Sequence, residues 1–356
     1  MIDDLIPTFT DITTWEKNLY ASTGGTRSKK IYFKPENNEQ YFFKGSKKLK
    51  DGSFKYPSEF WSEITSSKIG AFLGFRLLDY NIGYDENDEQ QIGCLSKSMI
   101  DHSQNKLAEG VDFLRGFKPA YDPKLNEDEY TLEFIIDALK YFNLSKSLNN
   151  FIEMMVFDAC IGNSDRHQEN WGFITYYKEA IEIYNQEIKS SKNLFERLLI
   201  KFIIWTVSFT SKDDRIHKSA LKGSSSIAPT LFAPIYDSGC SLGRENEYDR
   251  LTKLLSDEKM LEAYLVNKSK SEIRWEKGKK PSHFELLKKI KKVYPEGFSE
   301  AQEKIGSNYS LGSLSDLIQG IDQELPIELR KFKLIDLRKD FMIKAVALRV
   351  EKILEL

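Results

Sequence analysis

Runs of apolar and aromatic residues predict that the first hundred residues are mostly strands, with a single helix. Two aromatic-rich runs, at 29–35 and 39–46, flank the polar tripeptide ENN, which is typical of a β-hairpin. Residues 57–75 differ, because they repeat apolar side chains at helical spacing between Pro57 and Gly74. The pattern therefore predicts a small sheet accompanied by one helix.

Helical spacing prevails from about Asp101 onward. Two helices are predicted at 131–142 and 148–161, and the second runs directly into a dense polar stretch, IGNSDRHQENWGFI, at 161–174. The end of that stretch is aromatic and apolar, which predicts a strand. A further apolar strand, in LFAPIYDSG, is predicted to end in Asp237.

These elements predict an α+β chain with two lobes. The smaller, strand-rich lobe covers residues 1–99, and the larger, helical lobe covers residues 100–356. Residues 178–228 are helical and then Ser-rich, and are predicted to be an insertion in the larger lobe. A length of 356 residues agrees with two lobes, since it exceeds that of a usual single domain.

Composition argues against several classes of protein. The 52 basic and 54 acidic residues leave a net charge of −2, so no basic excess points to nucleic-acid binding. The most apolar window, at 194–209, carries charged residues and is too short for a comfortable membrane span. Three widely spaced cysteines without a CxxC pair argue against a disulfide framework or a thiolate metal site, and they predict a reducing, cytoplasmic compartment.

The polar stretch contains residue types that phosphoryl transfer requires. That reaction needs a carboxylate to orient or deprotonate the acceptor hydroxyl, oxygen ligands for magnesium, and a Lys that neutralises the phosphates. Asp165 and Asn170 lie five positions apart, a separation similar to that of the base and the magnesium-binding Asn in a protein-kinase catalytic loop. We therefore predict that Asp165 is the catalytic base and Asn170 a magnesium ligand. Arg166 either holds a phosphate or pairs with Glu169, and His167 is predicted to form hydrogen bonds within the loop.

A second magnesium ligand and a Lys–Glu pair complete the predicted set. Asp237 follows an apolar run and precedes a glycine by two positions, so it is the predicted second ligand. Lys44 lies on a predicted strand, with Phe42 on the same side of the sheet because side chains alternate. Glu63 shares a helix face with Glu59. We predict Glu63 as the partner of Lys44, because an acid at Glu59, in the first turn, is already explained by the helix dipole.

ATP and Mg²⁺ are the predicted cofactors, with the nucleotide between the two lobes. Ahead of the Lys44 strand, glycines, hydroxyls and cations suit a loop that holds phosphates through backbone amides and side chains. The residues of this predicted loop are Ser22, Thr23, Gly24, Gly25, Thr26 and Arg27. The adenine is predicted to lie against the connection from Ser96 to Met99.

The quoted motifs resemble those of HipA-like serine/threonine kinases. The order Asp-Arg-His in IGNSDRHQENWGF is similar to the catalytic loop of that family and, more loosely, to that of phosphoinositide kinases. The helix SEITSSKIGAFLG resembles the Glu-bearing helix of the family, and APIYDSG is similar to its metal-binding strand. The resemblance implies a protein-kinase-like fold and an ATP- and magnesium-dependent enzyme that phosphorylates Ser or Thr side chains of proteins, and itself. The gap of 67 residues between Asn170 and Asp237 is longer than expected for the family, so no substrate contact is carried over.

Two other functions stay open at this point. One is a kinase for a small molecule or a phosphoinositide, and the other is a degenerate kinase fold that regulates a target by binding alone. The expected partner is a protein with a hydroxyl acceptor, and neither nucleic acid nor a membrane span is expected. The N-terminus has no predicted signal peptide, although export without one stays compatible with the sequence. The sequence carries no indication of the oligomeric state.

Overall fold

The protein is described by a computed structural model with a mixed α+β fold, whose strands concentrate in the N-terminal part of the chain. The structure describes residues 2–18, 29–46, 48–101, 103–178, 222 and 228–356. The strands in these residues are β1 (Phe9–Asp11), β2 (Glu16–Asn18), β3 (Lys30–Phe33), β4 (Gln40–Gly45), β5 (Asn81–Tyr84), β6 (Ile92–Lys97), β7 (Lys106–Glu109), β8 (Gly172–Thr175) and β9 (Thr230–Phe232).

The first six strands form one sheet, in the order β1-β5-β6-β4-β3-β2. The pair β1–β5 is parallel and the other pairs are antiparallel. The predicted hairpin is confirmed as β3–β4, and its turn places Asn38 at a φ of 57°, a left-handed conformation that Asn tolerates. Lys44 of β4 lies opposite Cys94 of β6, and Phe42 lies opposite Ser96, so these four side chains share one face of the sheet.

Most of the described helices follow the sheet in sequence. They are α1 (Glu59–Phe72), α2 (Gly110–Phe117), α3 (Leu132–Tyr141), α4 (Leu148–Ile161), α5 (Tyr248–Ser256), α6 (Glu258–Glu262), α7 (His283–Val293), α8 (Pro295–Asn308), α9 (Leu311–Gln319) and α10 (Asp336–Glu355), with a π-helical turn at Ala263–Lys268. The helices predicted at 57–75, 131–142 and 148–161 are confirmed as α1, α3 and α4.

Helix α1 lies between the sheet and the helical part of the chain. It packs against β4 and β6 on one side and against α9 on the other, so nearly all of its side chains are buried. Gly74 ends it with a φ of 85°, which glycine adopts without steric cost. The indole of Trp61 donates a hydrogen bond of 2.8 Å to the carbonyl of Phe332, far along the chain. These contacts hold α1 in a defined position relative to the helices.

Helix α4 is the centre of the helical core. It packs against α7, α8 and α10, and an unbroken run of its residues, 154–161, is buried. Gly162 ends the helix in a left-handed conformation with a φ of 66°, where a Cβ atom would clash with the guanidinium of Arg349. The polar stretch therefore begins at the buried C-terminal half of a helix in the core, and β8 fixes its other end.

A second sheet, in the order β7-β8-β9, is antiparallel. The prediction that an apolar strand ends in Asp237 is wrong in detail, because β9 ends at Phe232. Pro234 cannot donate a ladder hydrogen bond, and only Ile235 resumes pairing, as an isolated bridge to Leu77. The insertion predicted at 178–228 lies almost entirely outside the described residues. Across the described segments, no helix is both long and apolar enough to cross a membrane.

Candidate functional site

A cavity of about 200 Å³ lies against the face of the sheet that carries Lys44. Strands β4 and β6 supply one wall. Residues just before β5, residues just after β6 and strand β7 supply most of the rest. The residues that line it are Lys29, Phe42, Lys44, Leu78, Tyr80, Cys94, Ser96, Met99, Ile100, Leu107, Glu109 and Tyr236. Most of this surface is apolar or aromatic, and the charged groups are few. A planar, largely apolar group next to an anionic one would suit such a cavity.

Lys44 lies at one side of this cavity and contacts two carboxylates. Its Nζ atom is 2.7 Å from Oδ1 of Asp237 and 3.2 Å from Oε2 of Glu63. Burial on its own would lower the pKa of the ammonium, but the negative charges of Asp237 and Glu63 raise that pKa above its ordinary value. Lys44 is therefore a fixed, fully charged cation at the wall of the cavity.

Glu63 links α1 to the segment that carries Asp237. It is 1% exposed, and while Oε2 meets Lys44, Oε1 accepts a hydrogen bond of 2.8 Å from the backbone N–H of Ser238. The alternative acid, Glu59, instead forms an ion pair with Arg244. The structure thus brings Glu63, and not Glu59, to Lys44.

Steric packing explains why a glycine, Gly239, follows Asp237 by two positions. A Cβ atom at Gly239 would lie 2.5 Å from Oε2 of Glu63, so a larger residue would displace that carboxylate. Asp237 itself has a φ of 54°, a left-handed conformation that costs a non-glycine residue about 1–2 kcal/mol. Strained backbone of this kind persists where the surroundings impose it, and it is concentrated at functional sites.

Asp237 is held by two ammonium groups. Besides Lys44, Nζ of Lys29 lies 3.3 Å from Oδ2 of Asp237. Burial would raise the pKa of the carboxyl, but the two lysines lower it well below its ordinary value. Asp237 is therefore ionised across the physiological pH range.

Arg166, in the polar stretch, pairs with Asp158 and not with Glu169, so the pairing expected from the sequence is wrong. The guanidinium is 1% exposed and binds the carboxylate of Asp158 in α4 through Nε (2.9 Å) and Nη2 (2.8 Å). Asn163 donates a third hydrogen bond to the same carboxylate, at 2.9 Å. The reason is geometric, because the left-handed turn at the end of α4 folds the loop back over the last turn of that helix.

The same guanidinium joins the loop to the segment of Asp237. Nη1 of Arg166 donates to the carbonyls of Asn170 (2.7 Å) and Tyr236 (2.5 Å), and Nη2 donates to Oγ of Ser238 at 3.1 Å. One rigid planar group therefore holds both the backbone of Asn170 and the two residues that flank Asp237, 67 positions further along the chain.

Asp165 and Asn170 are oriented by contacts within the loop. The backbone N–H of Asp165 donates to Oδ1 of Asn163 at 3.2 Å, and the amide of Asn170 donates to the carbonyl of Asp165 at 2.8 Å. The thiol of Cys240 lies 2.9 Å from Oδ2 of Asp165. Nδ1 of His167 accepts a hydrogen bond from the backbone N–H of Glu169, as expected for a structural role.

The oxygen donors of Asp237 and Asn170 are of the chemical kind that binds a magnesium ion together with phosphate oxygens. Asp237 supplies a carboxylate, and because the amide nitrogen of Asn170 is used by Asp165, its oxygen is the atom left to act as a ligand. Within the described residues no group of three or more His, Cys, Asp or Glu side chains forms an all-protein metal site. Mg²⁺ ordinarily binds through one or two protein oxygens together with substrate phosphates, so this sparse set is appropriate.

The remaining predicted residues divide into two groups. Ser96 and Met99 line the cavity, next to Cys94 and Ile100. The predicted phosphate loop, from Ser22 to Arg27, lies outside the described residues.

The predicted set omits two charged residues of the cavity wall, Lys29 and Glu109. Lys29 belongs to the cation-bearing stretch STGGTRSKK, so the sequence did carry a signal for it. Glu109 caps α2 together with Asp112, and burial raises the pKa of its carboxyl to about 7, with a further contribution from Asp112. No motif in the sequence marks Glu109.

Comparison with solved structures identifies the fold. The chain is similar to the proinflammatory kinase CtkA of Helicobacter pylori, with a TM-score of 0.66, 20% identity, and coverage of 98% of this chain and 96% of that one. The chain has a kinase-like fold. HipA of Shewanella oneidensis MR-1, solved with HipB and operator DNA, matches at a TM-score of 0.39 and 10% identity, over 96% of this chain and 68% of that one, which is too low to establish a shared fold. No family model and no curated protein matches the sequence.

Proposed function

We propose that the chain is an ATP- and magnesium-dependent kinase that transfers the γ-phosphoryl group to Ser or Thr hydroxyls of proteins, including its own. In this proposal residues 1–99 form the smaller lobe, residues 100–356 form the larger one, and the nucleotide binds in the cavity between them. The observation that carries the proposal is the position of Lys44, whose ammonium lies between Glu63 and Asp237 at the wall of an apolar cavity.

The apolar walls support a place for the adenine. Phe42, Leu78 and Met99 offer flat or aliphatic surface, and the strand that ends at Lys97 offers backbone groups near Ser96. The phosphates would then extend toward Lys44, and residues 22–27 would cover them.

Each charged side chain has a role that its contacts support. Lys44 contacts the phosphates, and Glu63 keeps its ammonium in position. Asn170 and Asp237 would hold Mg²⁺, which, when bound, neutralises charge on the phosphates. Asp165 accepts the proton of the attacking hydroxyl, and Arg166 sets the spacing between the loop and Asp237.

The test is Asp165→Ala, assayed for phosphotransfer and for binding of a non-hydrolysable ATP analogue with Mg²⁺. We expect turnover to fall by at least about a hundredfold, because general-base catalysis contributes on that order, while the affinity for the analogue changes little. Asp51→Ala, in an exposed turn, makes the same chemical change away from the cavity and serves as the control. Phosphotransfer by Asp165→Ala at the wild-type rate would remove Asp165 from this role.

The class of acceptor is tested separately. Labelled ATP is incubated with the chain alone, with protein mixtures, with sugars and with phosphoinositides, and modified residues are mapped by mass spectrometry. Label on Ser or Thr side chains supports the proposal, whereas label only on a sugar or a lipid indicates a small-molecule or lipid kinase. If calorimetry detects no magnesium-dependent binding of ATP, the result favours the alternative function, a regulator that acts on a target by binding alone.

A further inference from the structure

Both oxygens of Asp237 are already taken by ammonium groups. Nζ of Lys44 lies 2.7 Å from Oδ1, and Nζ of Lys29 lies 3.3 Å from Oδ2. If Asp237 is a magnesium ligand, as the proposed function requires, the metal must bind a carboxylate that two ammonium groups already contact. A dication and an ammonium group on the same carboxylate repel each other, so the metal binds more readily once one ammonium group has moved away.

The two lysines are not equivalent in how firmly they are held. The side chain of Lys44 is 11% exposed and has a second carboxylate, Glu63, at 3.2 Å. The side chain of Lys29 is 30% exposed, and Asp237 is its one carboxylate partner among the described residues. Lys44 would lose two contacts by moving, and Lys29 would lose one. Lys29 is therefore the group that can leave Asp237 at lower cost.

Lys29 also lies where a phosphate would arrive. It lines the same cavity as Lys44, two positions after the stretch predicted to cover the phosphates and directly before β3. Its long, flexible side chain can exchange a carboxylate for a phosphate oxygen with little change in the backbone. The four groups Lys29, Lys44, Glu63 and Asp237 are together neutral, so a metal ion arriving without its phosphates would create a net positive cluster.

We propose that Lys29 occupies the metal position on Asp237 until a nucleotide arrives, and that it then moves to the phosphates as the metal takes its place. This inference rests on the proposed function and goes beyond it, because it assigns Lys29 two successive partners. Its consequence is an order of binding. The lysine competes with a metal ion that arrives alone and assists one that arrives with nucleotide.

The test measures two affinities in Lys29→Met. Binding of Mn²⁺ alone is followed by the loss of the electron-spin resonance signal of the free ion, since Mn²⁺ prefers the same oxygen ligands as Mg²⁺. Binding of a non-hydrolysable ATP analogue without metal is followed by calorimetry. We expect the variant to bind Mn²⁺ about tenfold more tightly and the analogue about tenfold more weakly, because loss of one adjacent charge acts in opposite directions on a cation and an anion.

Two further variants make the result specific. Lys140→Met makes the same change of charge on the exposed face of α3, where Lys140 pairs with Asp137, and it should leave both affinities within about twofold of wild type. Lys29→Arg keeps the charge and should stay closer to wild type than Lys29→Met in both measurements. A lysine with a merely structural role would shift both affinities in the same direction.

The outcomes distinguish a failure of the proposed role of Lys29 from a failure of the proposed kinase function. Unchanged affinities in Lys29→Met, or two shifts of the same sign, would overturn the role of Lys29 while the kinase proposal stands, provided that the wild type binds the analogue with metal. A wild-type chain that binds neither Mn²⁺ nor the analogue, separately or together, would overturn both.

Discussion

Two clusters of ionic side chains adjoin the segment that carries Asp237, and they differ in how completely their charges are paired within the protein. In the scaffold cluster, formed by Asp158 and Arg166, the guanidinium is 1% exposed and bonds to protein groups on two separate segments. In the cavity cluster, formed by Lys29, Lys44, Glu63 and Asp237, the side chains of Lys29 and Asp237 are 30% and 20% exposed.

The difference explains what each cluster can do. A buried ion pair with further hydrogen bonds has no better partner available, so it fixes the backbone that it touches. Charges at a cavity wall can exchange one partner for another, because a ligand can replace the contact that is lost. The scaffold cluster therefore sets positions, and the cavity cluster is where ligands would act.

The largest expected effect is on stability, from Asp158→Ala. The substitution leaves the Arg166 guanidinium buried without its carboxylate, and breaking a buried pair in this way costs about 3–5 kcal/mol. Denaturant unfolding measures the change. The control is Glu153→Ala on the same helix, whose ion pair with Lys304 is partly exposed and should contribute only about 0–1 kcal/mol. Equal losses in the two variants would mean that the scaffold cluster is no stronger than a surface pair.

An intermediate effect, on activity, is expected from Gly239→Ala. The added methyl group would displace Oε2 of Glu63 and so disturb Lys44, which we expect to lower phosphotransfer by roughly ten- to a hundredfold, or about 1.4–2.7 kcal/mol. Stability should fall less than in Asp158→Ala. Gly312→Ala, in α9, is the matched control, because a Cβ atom there meets no neighbour and should raise helix stability by up to about 1 kcal/mol. Full activity in Gly239→Ala would show that the cavity cluster tolerates displacement of Glu63.

The smallest expected effect is a pH dependence of stability that arises from His283, next to the loop residue Asn163. Burial lowers the pKa of His283 to about 3, with Arg349 as a further cause and the backbone of Asn163 as a hydrogen-bond partner that opposes the shift. Because the unfolded chain binds this proton at higher pH, the contribution to stability is present above pH 6.5 and is lost as the pH falls toward 3.

His283→Gln removes this group from the titration. Between pH 6.5 and 5.5 the wild type should lose about 1 kcal/mol more stability than the variant does, as followed by thermal unfolding. Parallel stability curves for the two proteins would show that His283 titrates normally in the folded state.

Local chemistry in the sequence was sufficient to predict much of this arrangement. The helices α1, α3 and α4 and the hairpin β3–β4 follow from periodicity and turn residues, because those signals depend on neighbours within a few positions. The choice of Lys44, Glu63, Asp165, Asn170 and Asp237 followed from residue type, spacing and order along the chain. Their catalytic roles stay predictions until the variants above are assayed.

Tertiary structure alone decided the contacts between distant segments. The guanidinium of Arg166 binds the carbonyl of Tyr236, 70 positions further along the chain, because packing brings the two segments together. The strand expected to reach Asp237 ends at Phe232, and the pairing of Lys29 with Asp237 joins residues more than two hundred positions apart. Ion pairs of this kind depend on which segments packing brings together, and a carboxylate's sequence neighbours do not determine which cation will lie within 4 Å of it.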